Sequence, residues 1–454
     1  MILLAGLGLF LLFLFVPALN FPGVKQPVLN SFVKDNVEVI PLAPVYRTKL
    51  QEVHLLDSAS NENGVIDYEL MPYEELIHAS DFENEMAPFY NQLQQLSSRD
   101  TVLRILHFGD SQIEGDRISG VLRNNMQAVF GGCGIGFIPV SESRVHRLNV
   151  NKQVAGWKRF KVFGEKQKAS HQAYGFTGYV HQTDGGMGTI HLNKKNNYFN
   201  KTQSFERFSL LYKSADSSAK CLFGLSGDTM NSYSLIPSGK VQLKTASVNG
   251  YGKKGIDVQL STTDSSTFIY GITLDCKKGI AVDNVAMRGS SGIEFTKIDR
   301  SNLKQQMDLM NTGLVIYQFG VNVIPFVLQD YTFYENMVYQ QLHYLKQLMP
   351  NASFLVIGVS DMARKEGGQY FSYPNIEKVK TAQQNAAKRA GCAFWDLHKV
   401  MGGENAIKEW VVASPPLAEK DYTHFNFQGA KLIGNQLFKA IMQDYQVYLK
   451  GRFN

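Results

Sequence analysis

The chain has 454 residues, three times a typical domain of ~150 residues, which predicts two or three folded units. Hydrophobic residues at 44% and charged residues at 19% supply a sizeable core and exclude wholesale disorder. Forty-six Lys and Arg against 40 Asp and Glu leave +6, too small an excess to imply a nucleic-acid partner, and four cysteines are too few for a disulfide-dense scaffold.

Residues 1–22 carry no charged side chain, and positions 2–16 are almost wholly apolar. This pattern predicts export, through either a cleaved signal or a retained membrane anchor. Both stay open, because Val16-Pro17-Ala18-Leu19-Asn20 offers small residues near a cleavage point but no Ala-x-Ala. The expected place is the periplasm or the outer side of the cytoplasmic membrane, with membrane association through this segment if it is retained. Residues 23–98 read as a tether with Pro27, Pro41 and Pro44, followed by a helical extension. The spacing of Phe82, Met86, Phe89 and Leu93 predicts a helix within 76–96.

Positions 102–108 form a short apolar run that ends at Gly109-Asp110-Ser111. A helix over 115–130 follows, with Ile118, Val121, Leu122, Met126 and Val129 on its apolar side. Strand, tight turn and helix open an α/β sheet, here assigned to residues 99–148. Residues 149–282 lose the helical period. Short alternating runs at 188–192, 205–211, 221–225, 241–246, 256–260 and 268–274 predict an all-β sandwich or jelly roll. Between positions 144 and 168 eight Lys and Arg stand against one acid, Glu165, a solvated strand-and-turn surface or else a patch for a polyanion. In residues 283–454 the α/β rhythm returns, with strands at 314–319, 354–359 and 393–397 and helices at 302–310, 334–349, 379–390 and within 430–449. The expected fold class is therefore α/β: a three-layer α/β/α domain with a parallel sheet, interrupted by an all-β module. Among the cysteines, Cys221 and Cys276, 55 positions apart, are the candidate pair, with Cys133 and Cys392 as buried thiols.

Parallel sheets gather binding groups beyond the carboxyl ends of their strands. Four segments fall there: Gly109-Asp110-Ser111-Gln112, the 287–292 stretch Met-Arg-Gly-Ser-Ser-Gly, Gly320-Val321-Asn322, and Asp421-Tyr422-Thr423-His424. Ser111 is the candidate nucleophile, with His424 as its base and Asp421 fixing the histidine tautomer. The Ser111 and Gly289 N–H groups and the Asn322 amide are the candidate oxyanion donors. Alone, each segment is also an ordinary turn or helix cap; together, at strand ends of one domain, they make a site. Asp110, Glu114 and Asp116 lack the histidines of a typical transition-metal site, and neither a P-loop nor a dinucleotide fingerprint is present, so no metal and no cofactor is expected. His107, within the first strand, reads as a packing or supporting histidine rather than a reacting one.

These four segments resemble the signature blocks of the SGNH, or GDSL-type, hydrolases. The resemblance implies an ester-cleaving triad of Ser111, Asp421 and His424 and an oxyanion hole of Ser111, Gly289 and Asn322. Two positions depart from the family pattern: Gln112 replaces leucine, and Val323 replaces aspartate. The longer stretches at 107–117, 131–137 and 282–292 resemble the bacterial peptidoglycan O-acetylesterases, in which a carbohydrate-binding-like jelly roll interrupts the hydrolase. That resemblance implies an acetylated cell-wall polysaccharide as substrate, with Trp157, Lys158 and Arg159 as candidate glycan contacts and Tyr174 and Tyr179 as further exposed rings. A glycan O-acetyltransferase with the same triad and an inactive glycan-binding envelope protein remain the alternatives.

Overall fold

The strand after the tether is apolar on both faces, so it has to be covered twice, and the rest of the chain supplies both covers. A computed structural model describes residues 74–80, 84–141, 147–164, 166–195, 199–248 and 255–452. The apolar segment 1–22, most of the tether and part of the basic 144–168 run lie outside the described residues. No described helix is long and apolar enough to cross a membrane.

The first helix among the described residues, α1 (Ala87–Gln95), is shorter than its spacing predicts, because Pro88 sits in its first turn, where a missing N–H costs nothing. Ahead of it Leu76 is not helical. Ile77 exchanges backbone hydrogen bonds with Phe394 as an isolated bridge. Strand β1 (Val102–Gly109) leads through a 3-10 turn (Ser111–Asp116) into α2 (Arg117–Phe130). Eleven strands of the β-rich part follow: β2 (Gly136–Ile138), β3 (Val150–Ala155), β4 (Trp157–Lys161), β5 (Tyr179–Thr183), β6 (Met187–Lys194), β7 (Arg207–Lys213), β8 (Lys220–Leu225), β9 (Asn231–Ser234), β10 (Val241–Ser247), β11 (Ile256–Ser261) and β12 (Phe268–Asp275). The chain then returns through β13 (Gly279–Ala286), α3 (Arg300–Met310), β14 (Thr312–Gln318), α4 (Thr332–Leu348) and β15 (Ser353–Ile357). A small hairpin, β16 (Ala363–Glu366) and β17 (Gln369–Ser372), precedes α5 (Ile376–Arg389) and β18 (Ala393–Trp395). Helices α6 (Leu397–Met401), α7 (Ala406–Val412) and α8 (Phe427–Arg452) close the chain.

Strands β13, β1, β14, β15 and β18 form, in that order, a five-stranded sheet whose neighbours all pair in parallel. Alternation sorts its side chains. Leu103, Ile105, Leu314, Ile316, Leu355 and Ile357 pack with Ile118, Leu122 and Met126 of α2 and Leu437 and Ile441 of α8. Leu106, Phe108, Val315, Tyr317, Phe354 and Val356 pack with Leu303 of α3, Leu342 of α4 and Val379 of α5. The β-rich part is a pair of antiparallel sheets, β10-β7-β12-β5-β4 with β2 beside β12, and β3-β6-β11-β8-β9. Their inner faces share Leu192, Leu210, Phe223, Val258 and Ile272. The molecule is thus a mixed α/β domain with parallel and antiparallel sheets and an added β-rich module.

Two sequence expectations change here. The boundary placed at 282/283 cuts through β13, which pairs with β1 from Gly279 onward. Cys276 pairs with Cys133, not with Cys221. Cys133 follows α2 and Cys276 follows β12, where Cys276 N–H also donates to Cys133 O at 3.3 Å. Cys221 sits on β8 in the opposite sheet, 1% exposed inside the sandwich, and burial pushes its thiol up to about 12. Cys392 is buried and unoxidised, as expected.

Buried charge ties the two parts together. Arg104 of β1 donates to both carboxylate oxygens of Asp283 at 3.0 Å and also to Asp275 at the end of β12. Asp283 further accepts from Phe137 N–H of β2 at 2.7 Å. Paired in this way, the three ions tolerate desolvation that any one alone does not.

Candidate active site

The last residue of β1 is glycine because the chain there runs against the neighbouring strand: a Cβ at Gly109 would lie 2.7 Å from Gln318 O. Met287 N–H donates to Gly109 O at 2.7 Å, and Asp110 N–H to Gln318 O at 3.3 Å, so the ends of β13, β1 and β14 are tied side by side. The loops that leave these three strands carry Gly289, Ser111 and Asn322.

Asp110, 1% exposed, organises the turn. Its carboxylate accepts from Gln112 N–H at 3.0 Å, Gly320 N–H at 3.0 Å and Val321 N–H at 3.3 Å. One side chain therefore joins the Ser111 turn to the loop that carries Asn322. Burial pushes the Asp110 carboxyl up to about 6, against the pull of these N–H donors. Asn322 Nδ2 donates to Ser290 O at 2.9 Å, which sets its amide beside the Gly289–Ser290 turn. Gly289 has φ +82°, which only glycine adopts cheaply, and a Cβ there would meet nothing within 4 Å. The space over its backbone is open.

Ser111 and His424 are 313 positions apart in sequence, yet His424 Nε2 lies 2.7 Å from Ser111 Oγ. His424 Nδ1 lies 2.6 Å from Asp421 Oδ2, while Asp421 Oδ1 accepts from the N–H groups of Thr423 and His424 at 3.0 Å. Partial burial works to raise the Asp421 carboxyl, but the hydrogen bonds from His424 and from these N–H groups outweigh it and hold it at about 2. Asp421 therefore stays ionised at neutral pH and favours the histidine proton on Nδ1, which leaves Nε2 as a hydrogen-bond acceptor for the Ser111 hydroxyl. The loop owes its turn to Tyr422, at φ +55°, whose ring stacks on Tyr370 of β17.

His107 is fully buried. Its ring bonds Gln318 Oε1 at 2.9 Å and Ser119 Oγ at 3.0 Å, and burial lowers its pKa to about 4. The three acids near Ser111 have separate partners: Asp110 as above, Glu114 with Arg288 at 2.8 Å, and Asp116 with Arg123. Among the described residues no group of His, Cys, Asp and Glu is arranged to hold a metal ion.

The candidate glycan contacts lie elsewhere, on β4 at the edge of the six-stranded sheet. Trp157 is half-buried, with Nε1 donating to Thr189 O at 2.9 Å. Lys158 is exposed beside Asp184 at 3.0 Å, and Arg159 lies over the Tyr179 ring. Tyr174 and Tyr179 are 3% exposed and belong to the core shared with the parallel sheet, so they are not surface rings. Two residues the sequence did not mark as functional, Gln112 and Arg117, bond the backbone on both sides of His424.

No protein-family model matches the chain, and no curated protein matches it. Among solved structures, one described as "Peptidoglycan O-acetylesterase in action, 5 min" matches with 21% identity and TM-score 0.66, covering 82% of this chain and 99% of that one. The chain shares that esterase's fold. A family two carbohydrate esterase from Cellvibrio japonicus (8% identity, TM-score 0.25, 66% of this chain and 99% of that chain) and the acetyl xylan esterase AlAXEase (14%, 0.28, 36% and 81%) are similar too slightly to add to this.

Proposed function

We propose that the chain is a serine esterase that removes O-acetyl groups from a cell-envelope glycan, peptidoglycan above all, through an acetyl-serine intermediate. The observation that carries this reading is the unbroken relay from Ser111 Oγ to His424 to Asp421, at 2.7 and 2.6 Å. The Ser111 hydroxyl proton passes to His424 Nε2 as Oγ bonds to the acetyl carbon. The carbonyl oxygen takes up negative charge and accepts hydrogen bonds from the Ser111 and Gly289 N–H groups and from the Asn322 amide. Collapse breaks the bond to the sugar oxygen, which receives the proton from His424. Water then repeats the sequence on the acetyl-serine, releasing acetate and restoring Ser111.

Hydrolysis is supported over transfer by the openness of the base. The His424 side chain is 25% exposed and that of Asp421 50%, so water reaches the relay. The fold shared with a peptidoglycan O-acetylesterase supports the substrate class. The Cys133–Cys276 disulfide supports an exported location, since disulfides persist in oxidising compartments. In this reading Trp157, Lys158 and Arg159 guide the polymer from the edge of the β-rich module.

The test is acetate release from O-acetylated peptidoglycan by the purified protein, with and without a sugar acceptor. The proposal expects free acetate in both, and selective loss on polymer relative to a small acetate ester in Lys158→Ala. Acetyl transfer to the acceptor with negligible free acetate contradicts hydrolysis.

A further inference from the structure

We propose that Gln112 and Arg117 are positioning residues that hold His424 against Ser111, an inference resting on the base and nucleophile roles given above. Gln112 is the position at which the sequence departs from the leucine of the family it resembles. The structure gives that departure a physical use. The side chain is 2% exposed and bonded at both ends. Nε2 donates to Thr423 O at 2.7 Å and to Ser360 Oγ at 2.8 Å, and Oε1 accepts from Phe425 N–H at 3.4 Å. These partners fix the amide's orientation, because a carbonyl oxygen only accepts and an N–H only donates. Thr423 and Phe425 are the two neighbours of His424. Gln112 therefore grips the base-bearing loop on either side of the base, from the residue next to the nucleophile. A leucine offers none of these bonds.

Arg117 completes the clamp from one turn further on. Its Nη2 donates to Ser111 O at 3.0 Å, Nε to Glu114 O at 2.9 Å and Nη1 to Phe425 O at 2.5 Å. A single planar cation thus spans the carbonyl of the nucleophile and that of the residue after the base. The loop needs such support, because 419–424 lies in no helix or strand and Asp421 is exposed. Its other anchors are Ala363 N–H to Tyr422 O at 3.0 Å, the Tyr370 ring on Tyr422, Glu419 N–H to His424 O at 2.8 Å and the Ala418–Phe425 bridge; none of them ties the loop to the Ser111 turn. The clamp sets the Ser111–His424 distance directly, and a misplacement of about 1 Å costs on the order of 10²-fold in rate.

The test uses Gln112→Met, which keeps the volume and removes the three bonds, together with Arg117→Lys and Arg117→Ala, the latter with and without added guanidinium ion. Two readouts are taken after thermal unfolding has checked the fold. One is the rate at which a small sulfonyl fluoride labels Ser111, fluoride leaving as Oγ bonds to sulfur and the proton passes to His424. The other is the kcat and KM of a small acetate ester. Labelling and kcat are expected to fall by about 10–100-fold with KM within about twofold. Guanidinium is expected to restore Arg117→Ala by at least about tenfold, while Arg117→Lys stays low because an ammonium cannot span the three carbonyls. If Gln112→Met does not fold, the guanidinium rescue decides. Wild type that takes no label at Ser111 overturns the nucleophile assignment and this proposal with it. Wild type that labels, with variants labelling equally fast, altered only in KM, or unrescued by guanidinium, overturns the clamp alone. Wild type that labels but releases no acetate removes the acetylesterase reading and leaves the clamp to be decided by the labelling rates.

Discussion

Two carboxylates of the site are pushed in opposite directions, and each makes a prediction. Asp421 is held at about 2, below its usual 3.8, so its ion contributes stability above pH 3.8 that is lost as pH falls towards 2. Its amide variant, Asp421→Asn, presents an N–H where His424 Nδ1–H needs an acceptor. Its kcat on a small ester is expected to fall by about 10⁴-fold, the scale seen for the same change in serine proteases, with KM little moved. A loss below tenfold contradicts the orienting role. Asp110 is held up at about 6, so the sign reverses: its contribution is full below pH 3.8 and is lost as pH rises through about 6. The stability advantage of wild type over Asp110→Asn, from urea unfolding at pH 4 to 7, should therefore shrink as pH rises. A widening gap argues against burial as the controlling effect. That Ser111, His424 and Asp421 come together was legible in the sequence, because the proposed roles of nucleophile, base and orienter each need particular residue types. Gln112 and Arg117 were not, because the bonds that tie them to the His424 loop go to backbone atoms about 310 positions away.

At the scale of elements, the strands that the sequence reveals are those with alternating apolar residues or a continuous apolar run. Strands β6, β7, β8, β10, β11 and β12 begin and end within a few residues of the expected runs. Strand β13 was hidden by its own buried polar residues. Asp283 is spent on Arg104, and Asn284 Nδ2 donates to Ile113 O at 2.8 Å and Ser119 Oγ at 2.9 Å, bonds that no hydropathy pattern displays. Strand β4 was hidden for the opposite reason: at a sheet edge its side chains are mostly half-exposed and basic. The terminal helix was plain from its apolar spacing, and its packing sets a magnitude. Leu437, fully buried in the core that also holds Ile118 and Leu122 of α2, should cost about 2–5 kcal/mol when cut to Ala in urea unfolding. A cost below ~1 kcal/mol contradicts a packed α2–α8 contact.

Across the whole molecule the β-rich module is fastened to the parallel sheet by the buried Arg104 cluster and by Cys133–Cys276. The disulfide closes 143 positions of chain, so losing it in Cys133→Ser with Cys276→Ser should cost about 2–5 kcal/mol of stability. Non-reducing peptide mapping should find these two cysteines joined and Cys221 free. A Cys221–Cys276 peptide would restore the pairing that sequence separation suggested. Sequence alone misjudged it because pairing follows where the fold puts each residue, and Cys276, just past β12, lies beside Cys133, while Cys221 is on β8 in the opposite sheet. The same fastening places the return through β13 directly ahead of Gly289, so the module's attachment and the Gly289 turn share one strand. The central claim is that this scaffold brings Ser111 to an acetyl ester as a nucleophile. Rapid quenching of the protein with a small acetate ester, followed by peptide mass spectrometry, tests it directly. The account predicts an acetyl group on Ser111 in the wild type and none in Ser111→Ala, which also releases no acetate. Acetate release by Ser111→Ala at the wild-type rate, with no acetyl on any wild-type peptide, would contradict it.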